Sequence, residues 1–127
     1  IYSHIVLLQP TCPVRTGKHI DDALASISNV TESIVSVYRV DDAHPGRMYT
    51  VSDGRMTPLF PELVSINRQD LPAVYHRNGA IYITPTDVLR AGNLYGEITV
   101  PFIMDQKESI NIDSQLDWSF AELILDN

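Results

Sequence analysis

Ile5-Val6-Leu7-Leu8, followed directly by Gln9-Pro10-Thr11-Cys12-Pro13-Val14-Arg15, is the part of the sequence that most limits the choice of fold. The uninterrupted apolar run Ile5–Leu8 is typical of a strand buried on both faces. Ligands of open α/β sheets bind beyond the carboxyl ends of the strands, and Gln9 follows this one directly. The segment is therefore predicted either to bind a ligand or to be an ordinary strand-to-helix loop with helix-capping polar groups.

A strand–helix–strand unit is predicted for the first part of the chain. A helix capped by Thr16 extends to about Asn29, and the β-branched, alternating segment Ser33–Val40 predicts a second strand. The helix has apolar residues at spacings of four and three: Ile20, Leu24 and Ile27. Such a unit indicates a parallel pair of strands joined by a right-handed crossover.

The middle of the chain has a different character. Ser52-Asp53-Gly54 separates Met48–Val51 from Arg55–Thr57, which predicts a hairpin because glycine tolerates positive φ. Three prolines then keep the chain irregular until Asn78: Pro58, Pro61 and Pro72. A hairpin with a proline-rich arm cannot bury itself, so we expect it to pack either on a partner subunit or on the parent domain.

The remaining elements continue the alternation of strands and helices. Three strands are predicted at Gly79–Ile83, Ile98–Met104 and Ser109–Ile112. Thr84-Pro85-Thr86-Asp87 predicts the start of a short helix that runs to Ala91 and stops at Gly92. Asp113 or Ser114 caps a last helix with an apolar face of Leu116, Phe120, Leu123 and Ile124. The whole pattern predicts an α/β domain.

Composition narrows the functional classes. The 127 residues carry a net charge of −7, which argues against a nucleic-acid-binding protein because such proteins need a basic face. No apolar run approaches the roughly 18 residues of a membrane helix, so no membrane partner is expected. Cys12 is the single cysteine, and neither a protease signature nor paired histidines accompany it. We therefore expect a cytoplasmic protein without a catalytic thiol or a zinc site.

Two polar clusters remain as candidate sites. The stretch from Arg68-Gln69 to His76-Arg77-Asn78 suits an anionic, polyhydroxylated ligand, since Arg pairs with carboxylate and amides bond hydroxyls; the alternative is a solvated loop. Asn111 and Asp113 lie two residues apart, on one face of a predicted strand. That pair suits Mg²⁺, although Asp113 is equally placed to be only a helix N-cap.

The chain resembles the acylneuraminate cytidylyltransferase (CMP-sialic acid synthetase) family in three ordered blocks that span it. Leu7–Arg15 looks like the family's Leu-Leu-Gln-Pro-Thr-Ser-Pro-Leu-Arg segment. Arg68–Pro72 with Asn78–Ile83 resembles its second block, and Ser109–Asp113, with Asp117 and Glu122 beyond, is similar to its closing block.

The resemblance implies a partial Rossmann-like nucleotidyltransferase sheet in a three-layer α/β/α arrangement, with 1–127 as one truncated domain and 44–77 as a protruding dimerisation arm. It implies transfer of CMP from CTP to a sialic acid-like sugar acid, Mg²⁺ as cofactor, and a homodimer. Gln9 and Arg68 would bind the sugar acid, Tyr82 with Leu94 and Tyr95 would shape a pocket for its N-acyl group, and Asp113 with Asn111 would be the catalytic metal pair. The substrate-binding set is Gln9, Arg68, Gln69, His76, Arg77, Asn78, Tyr82, Leu94 and Tyr95.

Three departures from the family qualify this prediction. Asn111 stands where the family usually has the first Asp of an Asp-x-Asp pair, and His76, next to Arg77, stands where some members have Arg. The family's N-terminal nucleotide loop has no counterpart, since the only lysines are Lys18 and Lys107 and no glycine-rich basic loop is present. We therefore expect CTP to bind only with a missing N-terminal half, and the chain alone to be inactive. The alternative is a non-catalytic module that binds a sugar acid or dimerises.

Overall fold

The computed structural model of the protein describes residues 2–30 and 32–127. The strands and helices follow one another as β1 (His4–Leu7), α1 (Gly17–Ala25), β2 (Ser33–Arg39), β3 (Tyr49–Ser52), β4 (Arg55–Pro58), β5 (Tyr75–Pro85), α2 (Thr86–Arg90), β6 (Thr99–Ile103) and α3 (Gln115–Leu125). The chain divides into two compact units. The second unit is Arg39–Tyr75, which overlaps the predicted arm, and the first comprises the segments on either side of it.

The first unit is built on a four-stranded mixed sheet in the order β1-β5-β2-β6. β1 pairs antiparallel with β5, and β2 pairs parallel with β6. The prediction of an α/β fold is thus confirmed at the level of class. β1 and β2 are not neighbours, because β5 lies between them, so the strand–helix–strand unit does not form an adjacent parallel pair.

The core lies between the sheet and the segments that cover it. Its fully buried members are small or β-branched for the most part: Cys12, Ala23, Ile34, Ala80, Ile81, Ile83 and Met104. The prediction that β1 is buried on both faces is wrong, since Ile5 and Leu7 are 41% and 45% exposed while Val6 packs on the core. β1 is an edge strand of this sheet, and an edge strand leaves part of its surface uncovered.

Helix α1 begins as predicted and ends early. The Thr16 hydroxyl accepts from the His19 N–H, and the His19 ring accepts from the Thr16 N–H, which closes a capping box. The helix ends at Ala25, not at Asn29. Beyond its end, the Ser28 N–H donates to the Glu32 carboxylate and not to a helical carbonyl. Ile20 and Ile27 pack on the core as expected, but the small residue buried with them is Ala23, whereas Leu24 is exposed.

Three other predictions of local structure are wrong in whole or in part. The short helix predicted to end before Gly92 is present, but it begins at Thr86, because Thr84 and Pro85 belong to β5 and the Thr84 hydroxyl donates to the carbonyl oxygen of Leu94. Ser109–Ile112 is not a strand; it is an irregular segment in which the Ile112 N–H donates to the Thr11 carbonyl. The predicted apolar face of α3 is mostly exposed, and the buried residue of that helix is Ala121.

The second unit contains the predicted hairpin, formed by β3 and β4. Asp53 and Gly54 have φ values of 50° and 72°, so the turn is of the type that requires positive φ at both central residues. His44 holds the unit's irregular part: its Nδ1 accepts from the Gly46 N–H at 2.9 Å, and its Nε2 donates to the Pro72 carbonyl at 2.8 Å. In the part of the chain that the structure describes, no helix is both long enough and apolar enough to cross a bilayer.

We expect His44→Ala to destabilise the second unit by about 2–3 kcal/mol, because it removes two hydrogen bonds of a buried side chain and leaves the Pro72 carbonyl without its partner. Amide hydrogen exchange of residues 39–75, with Gly46 as the most sensitive position, measures this loss. His76→Ala, at an exposed histidine, is the matched control. Equal exchange rates in the two variants would contradict the structural role of His44.

Candidate functional site

The Arg15 side chain connects the loop after β1 to β5 through hydrogen bonds. Its Nη1 donates to the carbonyl oxygens of Gln9, at 2.8 Å, and Ala80, at 2.9 Å. One half-buried guanidinium thus satisfies two backbone acceptors that belong to different segments. This contact explains why an Arg follows Gln-Pro-Thr at this spacing, a role that the sequence alone did not suggest.

Gln9 extends its carboxamide to Gly79 in the middle of β5. A Cβ atom at position 79 would lie 2.2 Å from Gln9 Oε1, and Gly79 has a φ of +75°. Both the space and the backbone conformation therefore require glycine here. The predicted substrate-binding residue Gln9 is placed by this close approach.

The Asn78 side chain is buried and engaged inside the protein. Its Oδ1 accepts from the Ser36 hydroxyl at 2.5 Å and from the Ala80 N–H at 3.0 Å. Its Nδ2 donates to the Ser109 hydroxyl at 2.9 Å, and Ser109 in turn donates to the Asp105 carbonyl at 2.7 Å. Asn78 therefore connects β2, β5 and the segment before α3, and its amide is occupied by these contacts.

Asn111 and Asp113 were predicted to share one face of a strand; they instead lie in an irregular segment and hydrogen-bond to each other directly. Asn111 Nδ2 donates to Asp113 Oδ2 at 2.7 Å, and the Thr11 hydroxyl donates to Asn111 Oδ1 at 2.5 Å. Cys12 Sγ lies 3.7 Å from the same Oδ1 and 3.5 Å from the Asn78 carbonyl. Thr11, Asn111 and Asp113 thus form one hydrogen-bonded group beside the Cys12 thiol, and a Cβ atom at position 79 would lie within 4 Å of both Gln9 Oε1 and Cys12 Sγ.

Burial raises the pKa of the Cys12 thiol, and this outweighs the nearby Arg15 guanidinium, which acts in the opposite direction. A buried thiol with a raised pKa is a poor nucleophile. Cys12 therefore packs in the core of the first unit.

Asp113 is not the residue that caps α3. Ser114 is the N-cap, and Asp117 completes the capping box by accepting from the N–H groups of Asp113 and Ser114. The hydrogen bond from the Ser114 hydroxyl, followed by these backbone N–H groups, lowers the pKa of Asp117. The exposed Asp113 carboxylate is left to accept from Asn111.

Arg77 and two tyrosines form a second group in the first unit. The Arg77 guanidinium carbon lies 6.0 Å from the centre of the Tyr82 ring, and its Nη1 donates to the Tyr95 hydroxyl at 3.3 Å. Tyr82 is 4% exposed and Tyr95 is 44% exposed. Leu94 is half-buried beside Tyr95 in the chain, whereas the His76 ring packs on Tyr38 at a centroid distance of 5.5 Å.

Arg68 and Gln69 lie in the second unit, on an open cleft of about 790 Å³. Arg68 Nη2 donates to the Asp41 carbonyl at 3.1 Å and lies 3.6 Å from the Asp42 carboxylate. The same cleft is lined by Arg39 and Arg47, so it carries three guanidinium groups against two carboxylates.

In the first unit, the Asp113 carboxylate could hold a divalent cation weakly. Over residues 2–30 and 32–127, no three His, Cys, Asp or Glu side chains gather as a ready-made metal site. Asp113 supplies one exposed carboxylate, and the hydrogen bond from Asn111 falls on only one of its two oxygens. Mg²⁺ binds in proteins through one or two carboxylates and keeps water or substrate oxygens in its remaining positions.

Comparisons with known proteins agree with the resemblance predicted from the sequence. The chain is 31% identical over 125 residues to an N-acylneuraminate cytidylyltransferase of Escherichia coli. The aligned region covers 94% of this chain and 29% of that protein. It is 33% identical to an enzyme of the same name from Streptococcus agalactiae, over 89% of this chain and 28% of that one. It is 30% identical to a CMP-N,N'-diacetyllegionaminic acid synthase of Legionella pneumophila, over 98% of this chain and 55% of that protein.

The resemblance to acylneuraminate cytidylyltransferases is thus confirmed. The chain spans less than a third of the two cytidylyltransferases and about half of the legionaminic acid synthase. No family model matches the chain.

Gly79→Ala is expected to displace the Gln9 carboxamide and to cost about 2 kcal/mol or more, because a Cβ clashes with Gln9 Oε1 and alanine disfavours positive φ. The matched control is Gly92→Ala, which also has positive φ (+85°) but no atom within 4 Å of the added Cβ. Denaturant unfolding and the side-chain amide resonance of Gln9 measure the two effects. A loss no larger than that of Gly92→Ala would show that the close approach does not exist.

Asp117 gives a pH dependence to the start of α3. Its pKa is lowered in the folded protein, so its contribution is present above the unfolded pKa of about 4 and is lost as the pH falls through the lower folded value. We expect Asp117→Asn to destabilise the protein at pH 7 and the difference from wild type to shrink below about pH 4. Unfolding free energies measured from pH 2 to 7 test this, with Glu122→Gln, at an exposed carboxylate of α3, as control. A difference that is independent of pH would exclude the capping role.

Proposed function

From the confirmed resemblance to acylneuraminate cytidylyltransferases, we propose that this chain is the sugar-acid side of an enzyme that transfers CMP from CTP to a sialic acid-like nonulosonic acid, with Mg²⁺ as cofactor. The observation that carries the proposal is the hydrogen-bonded group of Thr11, Asn111 and Asp113, in which Thr11 belongs to the same loop after β1 as Gln9. In this group one oxygen of the exposed Asp113 carboxylate accepts from Asn111, and the other has no hydrogen bond to another described residue.

The sugar acid is proposed to contact several polar and aromatic side chains of the chain. Gln9 hydrogen-bonds its hydroxyls, since a carboxamide both donates and accepts. Tyr82, Leu94 and Tyr95 shape the pocket for the N-acyl group, with Arg77 holding the Tyr95 hydroxyl. Gln69 and His76 are proposed as further contacts. Asn78 is also proposed to contribute, by fixing the β5 backbone at Ala80, because its amide is occupied within the protein.

Arg68 is proposed to face the acidic region of the sugar. A guanidinium suits a carboxylate because it offers paired N–H donors. Its present partners are exposed, so exchanging them for a substrate carboxylate costs little. We propose that the arm formed by 44–77 is exchanged between the subunits of a homodimer, which makes the site partly shared.

The attack of the sugar's anomeric hydroxyl on the α-phosphorus of CTP requires mainly positioning and neutralisation of charge. Bound Mg²⁺ supplies the second by polarising phosphate oxygens. Asp113 is proposed as its carboxylate ligand in this chain. The chain's own contribution is to hold the sugar acid in place beside that carboxylate through Gln9.

Binding of the triphosphate is proposed to depend on residues outside this chain. Only two lysines are present, and no glycine-rich basic loop that would cradle phosphates accompanies them. The complete protein is proposed to have the three-layer, Rossmann-like sheet and to work in the cytoplasm, and this chain alone is expected to be inactive.

The test is an assay of pyrophosphate release with CTP, Mg²⁺ and N-acetylneuraminate. We expect turnover by the complete protein that contains this chain, none by the chain alone, and recovery when the rest of the protein is added separately. Asp113→Asn should reduce kcat by about 100-fold, because it removes the charge next to the cation.

Asp126→Asn, which removes an exposed carboxylate at the other end of α3, is the matched control and should keep full activity. Absence of turnover in every combination, with saturable binding of the sugar acid, would favour the alternative of a non-catalytic sugar-acid-binding module. Equal activity of the two variants would exclude Asp113 from the reaction.

A further inference from the structure

The orientation of the Asn111 amide follows from the chemistry of its neighbours. Asp113 as a carboxylate can only accept hydrogen bonds, so the Asn111 atom that lies 2.7 Å from its Oδ2 must be the nitrogen. Asn111 Oδ1 is then directed to the Thr11 hydroxyl at 2.5 Å, with the Cys12 thiol at 3.7 Å on the same oxygen. The Thr11 hydroxyl and the Cys12 thiol, both in the loop after β1, thus face the oxygen of the Asn111 amide, and Asp113 accepts from its nitrogen.

This arrangement does not suit Asn111 as a metal ligand. Only the oxygen of an amide binds a cation, and that oxygen already accepts from Thr11. The side of Asn111 that faces Asp113 carries N–H groups, whose partial positive charge repels a cation. Of this pair, Asp113 Oδ1 is the atom that no hydrogen bond to another described residue occupies.

We propose that Asn111 is a positioning residue: held by Thr11, it fixes the carboxylate of Asp113 through Oδ2, and the divalent cation takes Asp113 Oδ1 as its sole ligand from this pair. This inference rests on the proposed function and refines its metal site. A single carboxylate would hold the cation weakly, with water or substrate oxygens in its remaining positions. Thr11 orients the Asn111 amide, and Asn111 in turn orients the Asp113 carboxylate.

The role of Thr11 separates this proposal from direct ligation by Asn111. If Asn111 positions Asp113, Thr11→Val releases the amide, and cation affinity falls. If Asn111 Oδ1 were itself a ligand, the same substitution would free that oxygen, and cation affinity would rise. Thr11→Ser keeps the hydroxyl and tests whether the hydroxyl, and not the methyl group, is responsible.

The experiment measures Mn²⁺ binding, without nucleotide, to the complete protein that contains this chain, by the loss of the electron paramagnetic resonance signal of free Mn²⁺. We expect Thr11→Val to weaken binding by about tenfold, Thr11→Ser to restore it, and Asp113→Asn to abolish it. Asn111→Asp should tighten binding by at least about tenfold, because a second carboxylate replaces an N–H donor. Asp126→Asn is the control and should leave the affinity unchanged.

Tighter Mn²⁺ binding in Thr11→Val, or unchanged binding in Asn111→Asp, would overturn the proposal. If Thr11→Val does not fold, Thr11→Ala, which also lacks the hydroxyl that donates to Asn111 Oδ1, decides in its place. The Asn111 side-chain amide resonance provides a second readout, which should move in Thr11→Val and not in Asp126→Asn. Pyrophosphate release by the wild type is recorded alongside, so that failure of the metal arrangement with activity intact is distinguished from failure of the proposed reaction.

Discussion

The donation of one guanidinium to two carbonyl oxygens underlies the arrangement of the candidate site. Arg15 holds the Gln9 carbonyl and the Ala80 carbonyl at the same distance, within 0.1 Å, and so sets the spacing between the loop after β1 and the middle of β5. With that spacing fixed, Gln9 reaches Gly79 and Thr11 reaches the segment before α3. Both Thr11 groups take part: its carbonyl accepts from the Ile112 N–H and its hydroxyl donates to Asn111. The loop therefore contacts a polar segment that lies a hundred residues away from it in the chain.

Local chemistry was sufficient to predict much of the fold. The helix cap at Thr16, the cap predicted at Asp113 or Ser114 and found at Ser114, and the positive-φ turn at Asp53-Gly54 all depend on residues within four positions of one another. The errors occurred where a distant segment decides. An apolar run does not reveal whether its neighbours cover it, and so Ile5 and Leu7 were wrongly expected to be buried.

The candidate site shows the same division between local and distant information. The pairing of Asn111 with Asp113 was predicted from a strand period, yet the segment is irregular and the pairing is a direct hydrogen bond. Asn78 was expected to offer its amide to a ligand, but three different segments use that amide. The roles of Thr11 and Arg15 were missed because their partners lie far along the chain or in the backbone, which a motif does not specify.

The burial of Cys12 has a practical consequence. It is the single cysteine of the chain, it is 3% exposed, and its sulfur lies within reach of both the Asn78 carbonyl and Asn111 Oδ1. A thiol-specific reagent can therefore modify it only when β5, the loop after β1 and the segment before α3 separate. The rate at which such a reagent labels Cys12 would therefore report how often this region opens in solution, and no cysteine would have to be introduced.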